Sequence, residues 1–363
     1  MSKIRVGLIG VGNCASGLIQ GIQYYRNSKE IPIGLMHEKI GDYSFDDVEF
    51  VSAFDVGKNK VGTSLAEAIY KQPNMVDWVK SVEGCNCVVK ESPVLDGVGI
   101  YVENMIDPIQ QSKDISELED EIIEEIKESK TEILINYLPV GSEKATKFWA
   151  NIAIKTNCGF INCIPVFIVS DKTWQQRFVD ARIPVVGDDI KSQVGATIVH
   201  RVLTKLCSDR GCTIDRTYQI NVGGNTDFCS MLERKRLESK KISKTEAVTS
   251  QLKENLNSKN IYVGPSDFIP FLGNRKLAFI RIEGRQFANV PFNMELRLDV
   301  DDKANSAGIA IDAIRCCKLA MDRGIGGPLI SPSAYFMKRP PKQFSDSIAR
   351  EMVEEFIGGK RER

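Results

Sequence analysis

Residues 4–18 read Ile4-Arg-Val-Gly-Leu-Ile-Gly-Val-Gly-Asn-Cys-Ala-Ser-Gly-Leu18. An apolar run ends at Gly10, and Gly12 and Ala15 complete G-x-G-x-x-A. That spacing is the pattern of a dinucleotide-binding turn between a buried strand and a helix. Gly10 allows the tight turn, Gly12 lets a pyrophosphate approach the backbone, and Ala15 keeps helix and strand close. From Asn13 and Cys14 onward the helix N-terminus offers free N–H groups and the positive end of its dipole to the phosphates. An apolar helix face follows in Leu18, Ile19 and Ile22.

A second strand is expected over Val48–Phe54, ending at Asp55. An acid there holds the ribose hydroxyls of NAD and repels the extra phosphate of NADP; the alternative is a plain strand-end cap. Residues 26–47, with Pro32, Gly34 and Gly41, look like an insertion that lengthens the usual spacing. Residues 114–130 form an amphipathic helix with a solvated acidic face. Further strands are expected at Ile133–Leu138, Phe160–Asn162 with Ile164–Phe167, and from Pro184, with a helix through Trp149 between the first two. Such alternation indicates a doubly wound parallel sheet, whose ligands sit beyond the carboxyl ends of its strands. Asn136, Ser142 and Asn162 lie at such ends. From about residue 213 strands dominate (213–222, 278–283, 293–300), which suggests a second α+β domain with an open sheet. An apolar helix at 306–321 is placed to pack back onto the first domain. A loop at 324–328 and a frayed basic tail complete the chain.

With 363 residues the chain has room for two domains. Equal numbers of basic and acidic side chains, 48 of each, leave no global field to recruit nucleic acid or a membrane surface. No apolar run reaches membrane-spanning length, and glycines break the first strand where a signal peptide would stay apolar, so a cytoplasmic location is expected. The 10 cysteines include Cys85-x-Cys87 and adjacent Cys316 and Cys317, without zinc-site spacing, and read as reduced, mostly buried thiols. His37 and His200 are the sole histidines. Acid–base chemistry therefore falls to Lys, Asp or Glu.

Three polar stretches are candidates for that chemistry. In Gly187-Asp-Asp-Ile-Lys-Ser-Gln193, Asp188 and Asp189 beside Lys191 and Ser192 suit a cofactor amide, a cation or a balanced lysine, or else a capped helix start. Asn221-Val-Gly-Gly-Asn-Thr-Asp227 offers N–H groups with Asn225 and Asp227 to a polyhydroxylated ligand or a nicotinamide, or is an ordinary turn. In Leu237-Glu-Ser-Lys-Lys-Ile-Ser-Lys-Thr245, Lys240 and Lys244 share a helix face. With Ser243 and Thr245 they suit a phosphate cradle, against the alternative of a solvated basic face. Lys276 and Lys338 join them as single lysines; enclosed together, such amines depress one another's pKa.

These stretches occur in one order: VGNCASGLIQGIQYYRN, YLPVGSE, IPVFI, GDDIKSQVGAT, NVGGN-x-D, LESKKISKT, GNRK and SAYFMK. The chain thereby resembles the shorter bacterial and archaeal branch of the myo-inositol-1-phosphate synthases, from about residue 4 to 358. The resemblance implies an α/β fold, a Rossmann-type doubly wound parallel sheet with an inserted α+β domain carrying an open sheet. It places the NAD-binding domain at 1–198 plus 307–363 and a catalytic and tetramerisation domain at 199–306. It implies redox-neutral conversion of D-glucose 6-phosphate to 1D-myo-inositol 3-phosphate with recycled NAD, in a homotetramer. Lys240 would move the C5 hydroxyl proton, Lys276 and Lys338 would stabilise enolate and carbonyl oxygens, and Lys244 would serve phosphate and the C1 oxygen. Asp189, Asn225 and Asp227 would line the sugar and nicotinamide side. Asn305 stands where eukaryotic members carry an acid, which argues against an acid's role there. Members of the family use a divalent or a monovalent cation, for which Asp188 and Asp189 are the candidates here. The stretch 240–275 is expected to order over substrate and cofactor. The rival readings are a sugar-phosphate dehydrogenase that releases NADH, and a non-catalytic NAD-binding protein.

Overall fold

The computed structural model describes every residue except 1, 2, 29, 253–255, 265 and 266. From the N-terminus run β1 (Ile4–Ile9), α1 (Asn13–Ser28), β2 (Val48–Asp55), α2 (Leu65–Ala68), β3 (Val89–Glu91), α3 (Glu103–Ile106), α4 (Ile115–Glu128), β4 (Ile133–Asn136), α5 (Glu143–Thr156), β5 (Gly159–Asn162), α6 (Lys172–Ala181) and β6 (Pro184–Val186). The chain then passes through α7 (Ala196–Asp209), β7 (Thr213–Gly223), α8 (Thr226–Ser230), α9 (Glu238–Thr249), β8 (Ile261–Val263), β9 (Asp267–Phe268), β10 (Arg275–Arg285) and β11 (Pro291–Asp301). It returns through α10 (Ala304–Asp322), β12 (Gly327–Pro328), α11 (Ile330–Phe336) and α12 (Asp346–Ile357).

The first sheet has the order β12-β6-β5-β4-β1-β2-β3, with every pairing parallel. Its strands are apolar on both faces because both are covered. Ile133 and Ile135 join Val6, Leu8, α1 and α10 on one side. Leu134 joins Phe54, Trp149, Phe160 and Phe178, under α4 to α6, on the other. The strand order reverses around β1, so a crevice opens beyond Ile9, at the glycine turn. The second sheet has the order β11-β10-β7-β8, with β9 also on β7. Its three long strands are antiparallel, and α7 packs on one face, where Thr217, Gln219 and Asn221 are buried.

Three expectations need correction. Residues 164–167 form a turn, because the Asp188 carboxylate takes the N–H groups of Ile168, Val169 and Ser170 at 3.0–3.1 Å and bends the chain. Within the loop at 324–328, Gly327 and Pro328 pair with β6. The basic tail is docked: Ser331 Oγ donates to the Arg363 carbonyl at 2.7 Å, and Arg361 pairs with Glu355. The irregular stretch 26–47 is anchored by a fully buried Arg315 of α10, which donates to the carbonyls of His37 and Glu38.

Candidate active site

Gly10 sits at φ +88°, and a Cβ there would come within 3.1 Å of the Tyr137 carbonyl oxygen. A Cβ on Gly12 would meet nothing within 4 Å, so its backbone faces open space. The helix begins immediately, with Ser16 N–H donating to the Gly12 carbonyl at 2.9 Å, and Ala15 is buried against β1. Asp55 accepts from the N–H groups of Val11 (2.7 Å), Val56 and Gly57 (both 2.8 Å) while lining the same cleft. It thus closes the turn and still presents its carboxylate at the end of β2. An open glycine, free helix N–H groups and an acid at the second strand end fit a dinucleotide. Asn13 and Cys14 also line the cleft, the Asn13 Oδ1 accepting from Met75 N–H.

The same cleft continues to Lys240, Lys244, Lys276 and Lys338. Helix α9 puts Lys240 and Lys244 one turn apart, β10 brings Lys276, and the segment after α11 brings Lys338. Three of them have acid partners. Lys240 lies 3.1 Å from Asp227, Lys338 3.0 Å from Asp189, and Lys276 3.4 Å from Asp302. Burial pushes the Asp227 pKa up, but Lys240 and Lys303 outweigh it and hold the carboxyl below its ordinary value. Lys244 is buried and bonds to no described residue. Burial, and then the charges of Lys240, Lys276 and Lys338, hold its pKa well below that of an ordinary lysine. An amine in that state is ready to take up a proton when an anion arrives.

Several residues expected on the wall stand behind it. Asn136 is fully buried and spends its amide on Asn162, Thr146 and the Leu138 N–H. Ser142 donates to the Pro139 carbonyl. Lys191 points away, to the Ala334 carbonyl and Asp346, and burial lowers its pKa to about 8. Asp188 accepts five hydrogen bonds from Asn162, Ile168, Val169 and Ser170, and burial still raises its pKa to about 6. Ser243 is committed to Asp189 at 2.6 Å, and Thr245 is off the cleft wall, so of the expected cradle Lys240 and Lys244 face the cleft. Asn225 caps α8 and donates to Asp302 at 3.2 Å. Asn305 exchanges two 2.8 Å bonds with Val194. Ser192 does line the cleft.

Asp302, Lys303 and Lys60 also line it and were not anticipated. The run Asp299–Lys303 just before an apolar helix was the available signal for the first two. Nothing local marks Lys60, which donates to the Val11 carbonyl at 2.8 Å and whose pKa burial lowers. The donor set does not fit a bound divalent cation. Among the described residues no three His, Cys, Asp or Glu side chains converge, and the oxygens of Asp188 and Asp189 are taken by protein donors. Neither histidine reaches the cleft: His37 lies against Asp312, and His200 against Thr217 and Gln219. All ten cysteines are free thiols. The stretch 240–275 contains α9 and β8, while 253–255, 265 and 266 lie outside the described residues.

Residues 195–303 match the family model for myo-inositol-1-phosphate synthase. The inositol-3-phosphate synthase of Mycobacterium tuberculosis is 52% identical over 362 residues, covering 99% of this chain and 96% of that protein. That of Corynebacterium glutamicum is 50% identical over 364 residues, covering 98% of each. The crystal structure of a myo-inositol-1-phosphate synthase-related protein from Thermotoga maritima superposes with a TM-score of 0.84 over 98% of both chains at 23% identity, a likeness of fold. Near-full-length identity at this level, on top of a glycine turn and four clustered lysines in one cleft, means that the chain belongs to the myo-inositol-1-phosphate synthase family.

Proposed function

We propose that this chain converts D-glucose 6-phosphate to 1D-myo-inositol 3-phosphate and recycles NAD within each turnover. The observation that carries the reading is the convergence of Lys240, Lys244, Lys276 and Lys338 in the cleft that opens at Gly12. Backbone groups from Gly10 to Ala15 hold the pyrophosphate, and Asp55 holds the ribose. Bound there, NAD supplies a reversible hydride acceptor for sugar C5. Lys240, kept in place by Asp227, takes the C5 hydroxyl proton and later returns it. The C5 ketone acidifies C6, whose proton is lost to a neutral amine of the cleft as the enolate forms; C6 attacks the C1 aldehyde, the C1 oxygen takes up a proton, and hydride returns to C5. Lys276 and Lys338 stand beside the enolate and carbonyl oxygens, where fixed cations stabilise charge as it develops. Lys244 takes a proton as the phosphate arrives and serves the C1 oxygen. Asp189 acts by holding Lys338, and Asn225 by holding Asp302.

In the same reading residues 199–306 form the catalytic and assembly domain, inserted between 1–198 and 307–363. One face of its sheet leaves Tyr218, Ile220 and Phe279 exposed, and α7 leaves Val202 and Leu206 exposed on the other. Two apolar surfaces per chain support a homotetramer. No described helix is long and apolar enough to cross a membrane, which supports placement in the cytoplasm. The test is turnover of glucose 6-phosphate with substoichiometric NAD, followed by phosphorus NMR and by absorbance of NADH. Many turnovers to inositol phosphate without NADH build-up support the reading. NADH rising in step with an oxidised sugar makes the chain a dehydrogenase, and no turnover at all makes it a binding protein.

A further inference from the structure

Lys303 is the N-cap residue of α10, its own N–H and that of Ala304 received by Asp301 at 2.9 and 2.8 Å. Its stem lies against α1 where Gly17 has no side chain: a Cβ at Gly17 would come within 3.3 Å of the Lys303 Cβ. Its ammonium, buried, reaches Asp302 Oδ2 at 3.1 Å and the Cys14 sulfur at 3.6 Å. The other oxygen of Asp302 receives Lys276 at 3.4 Å, and Asn225 completes the Oδ2 side at 3.2 Å. The groups that face Lys303 are therefore Cys14 from α1, Asp302, and through space Asp227 of α8. Asp302 is shared between Lys303 and Lys276, and Cys14 belongs to the turn that receives the cofactor.

We propose that Lys303 is a fifth lysine of this site, a positioning residue that fixes the Lys276–Asp302 pair and ties it to the dinucleotide turn through Cys14. The inference rests on the synthase reading of the cleft. A carboxylate held by two ammonium groups and an amide stays ionised and keeps one orientation, so Lys276 is presented at a set place relative to the cofactor. Without Lys303, Asp302 is free to turn toward Lys276 and draw it off that place. The cleft also loses one positive charge, so its remaining amines hold protons more tightly.

The test uses the full-length enzyme with Lys303→Met, Asp302→Asn and the double variant, assayed for inositol phosphate across pH. Lys303→Met is expected to lower kcat on the order of 10²-fold, the scale of a small misplacement of a reacting group. KM for glucose 6-phosphate changes little, and the acid limb of kcat/KM, where an amine must be neutral, moves to higher pH. In the Asp302→Asn background Lys303→Met should add less than about threefold, because the two act as one unit. An additive loss, an unmoved limb or a wild-type rate overturns the proposal. Should Lys303→Met fail to fold, Lys303→Gln keeps the bond to Asp302 and loses the charge; the same limb must move, and an unmoved limb overturns the proposal equally. Wild-type enzyme that makes no inositol phosphate would strike the synthase reading itself, before any variant is compared.

Discussion

Lys244 and Lys338 face one cleft, and replacing each by methionine should change stability in opposite directions. Lys244 is 5% exposed and bonds to no described residue. Its amine opens onto the cleft, so the cost of leaving it without a partner is at the low end for a buried polar group, about 1 kcal/mol. Methionine fills similar space without charge, so Lys244→Met should restore about that much to the ligand-free enzyme. At about 2–4 °C per kcal/mol for a large domain, melting rises by roughly 2–4 °C. The pH dependence has a definite sign. The folded pKa of Lys244 lies below the unfolded value, lowered by burial and then by the neighbouring lysines. The unfolded chain therefore binds the proton more tightly, and stability rises with pH until about 10.4. The gain from Lys244→Met is full below the folded pKa and shrinks as pH rises above it. Lys338→Met instead strands Asp189, a buried carboxylate left with Ser243 as its side-chain donor, at a cost of about 3 kcal/mol. Both variants should lose about 10²–10³ in kcat, the scale of removing one electrostatic contact to the transition state. Scanning calorimetry of the ligand-free proteins at pH 7 and 9.5, with the product assay in parallel, checks each point. A lower melting temperature for Lys244→Met at pH 7, or shifts of the same sign in both variants, refutes the reasoning.

Other perturbations follow from single contacts. Gly12→Ala should leave folding within about 0.5 kcal/mol, because a Cβ there meets nothing, and should weaken NADH binding in a fluorescence titration; unchanged affinity would sink the turn assignment. Gly10→Ala should cost about 1–2 kcal/mol of stability through its left-handed backbone, read from the urea midpoint. His37 is partly buried, which lowers its pKa, but Asp312 and then Glu354 more than reverse this. The stability it contributes is present below about pH 6.5 and lost as pH rises through the raised folded value. His37→Gln should flatten that slope, and an equal slope in the variant would count against it. Fully buried Arg201 donates to the carbonyls of Ala247 and Phe344 and pairs with Asp346. Arg201→Met should cost about 3–5 kcal/mol, and an unshifted urea midpoint would contradict this.

The first sheet was legible because its signals are local. Strand, glycine turn and helix follow one another within residues 4–28, and β2, β4, β5 and the three long strands of the second sheet start within three residues of their expected places. What failed was decided by partners distant in sequence. Ile164–Phe167 is apolar enough for a strand, yet a carboxylate twenty residues on takes the N–H groups just beyond it. The loop at 324–328 contains a strand only because β6 has a free edge there. The site shows the same division. The four lysines were found through long motifs, but whether a polar side chain faces the cleft or its support depends on where its partner lies. Asp188 and Asp189 are adjacent in sequence and point to different neighbours, one to the backbone of a turn and the other to Lys338.

The distribution of charge in the cleft explains why four lysines do not simply neutralise one another. Four ammonium groups enclosed together would each shed a proton in an apolar pocket. Here Asp227, Asp189 and Asp302 lie 3.0–3.4 Å from three of them, which sets the direction in which each amine points. Lys244 is the one of the four with no acid at bonding distance among the described residues, and its proton affinity falls through burial and then through the neighbouring lysines. A sugar phosphate brings the missing negative charge, so protonation of Lys244 becomes favourable on binding. The cleft thus divides its amines: Lys276 and Lys338 for oxyanions that appear during the reaction, Lys240 for the C5 hydroxyl proton, and Lys244 for the anion that is present throughout. Removing one partner tests the arrangement: Asp189→Asn takes the carboxylate from Lys338, and kcat should fall on the order of 10²-fold, the scale of a small misplacement of a reacting group. An unchanged kcat would mean that Asp189 does not hold Lys338 in place for the reaction.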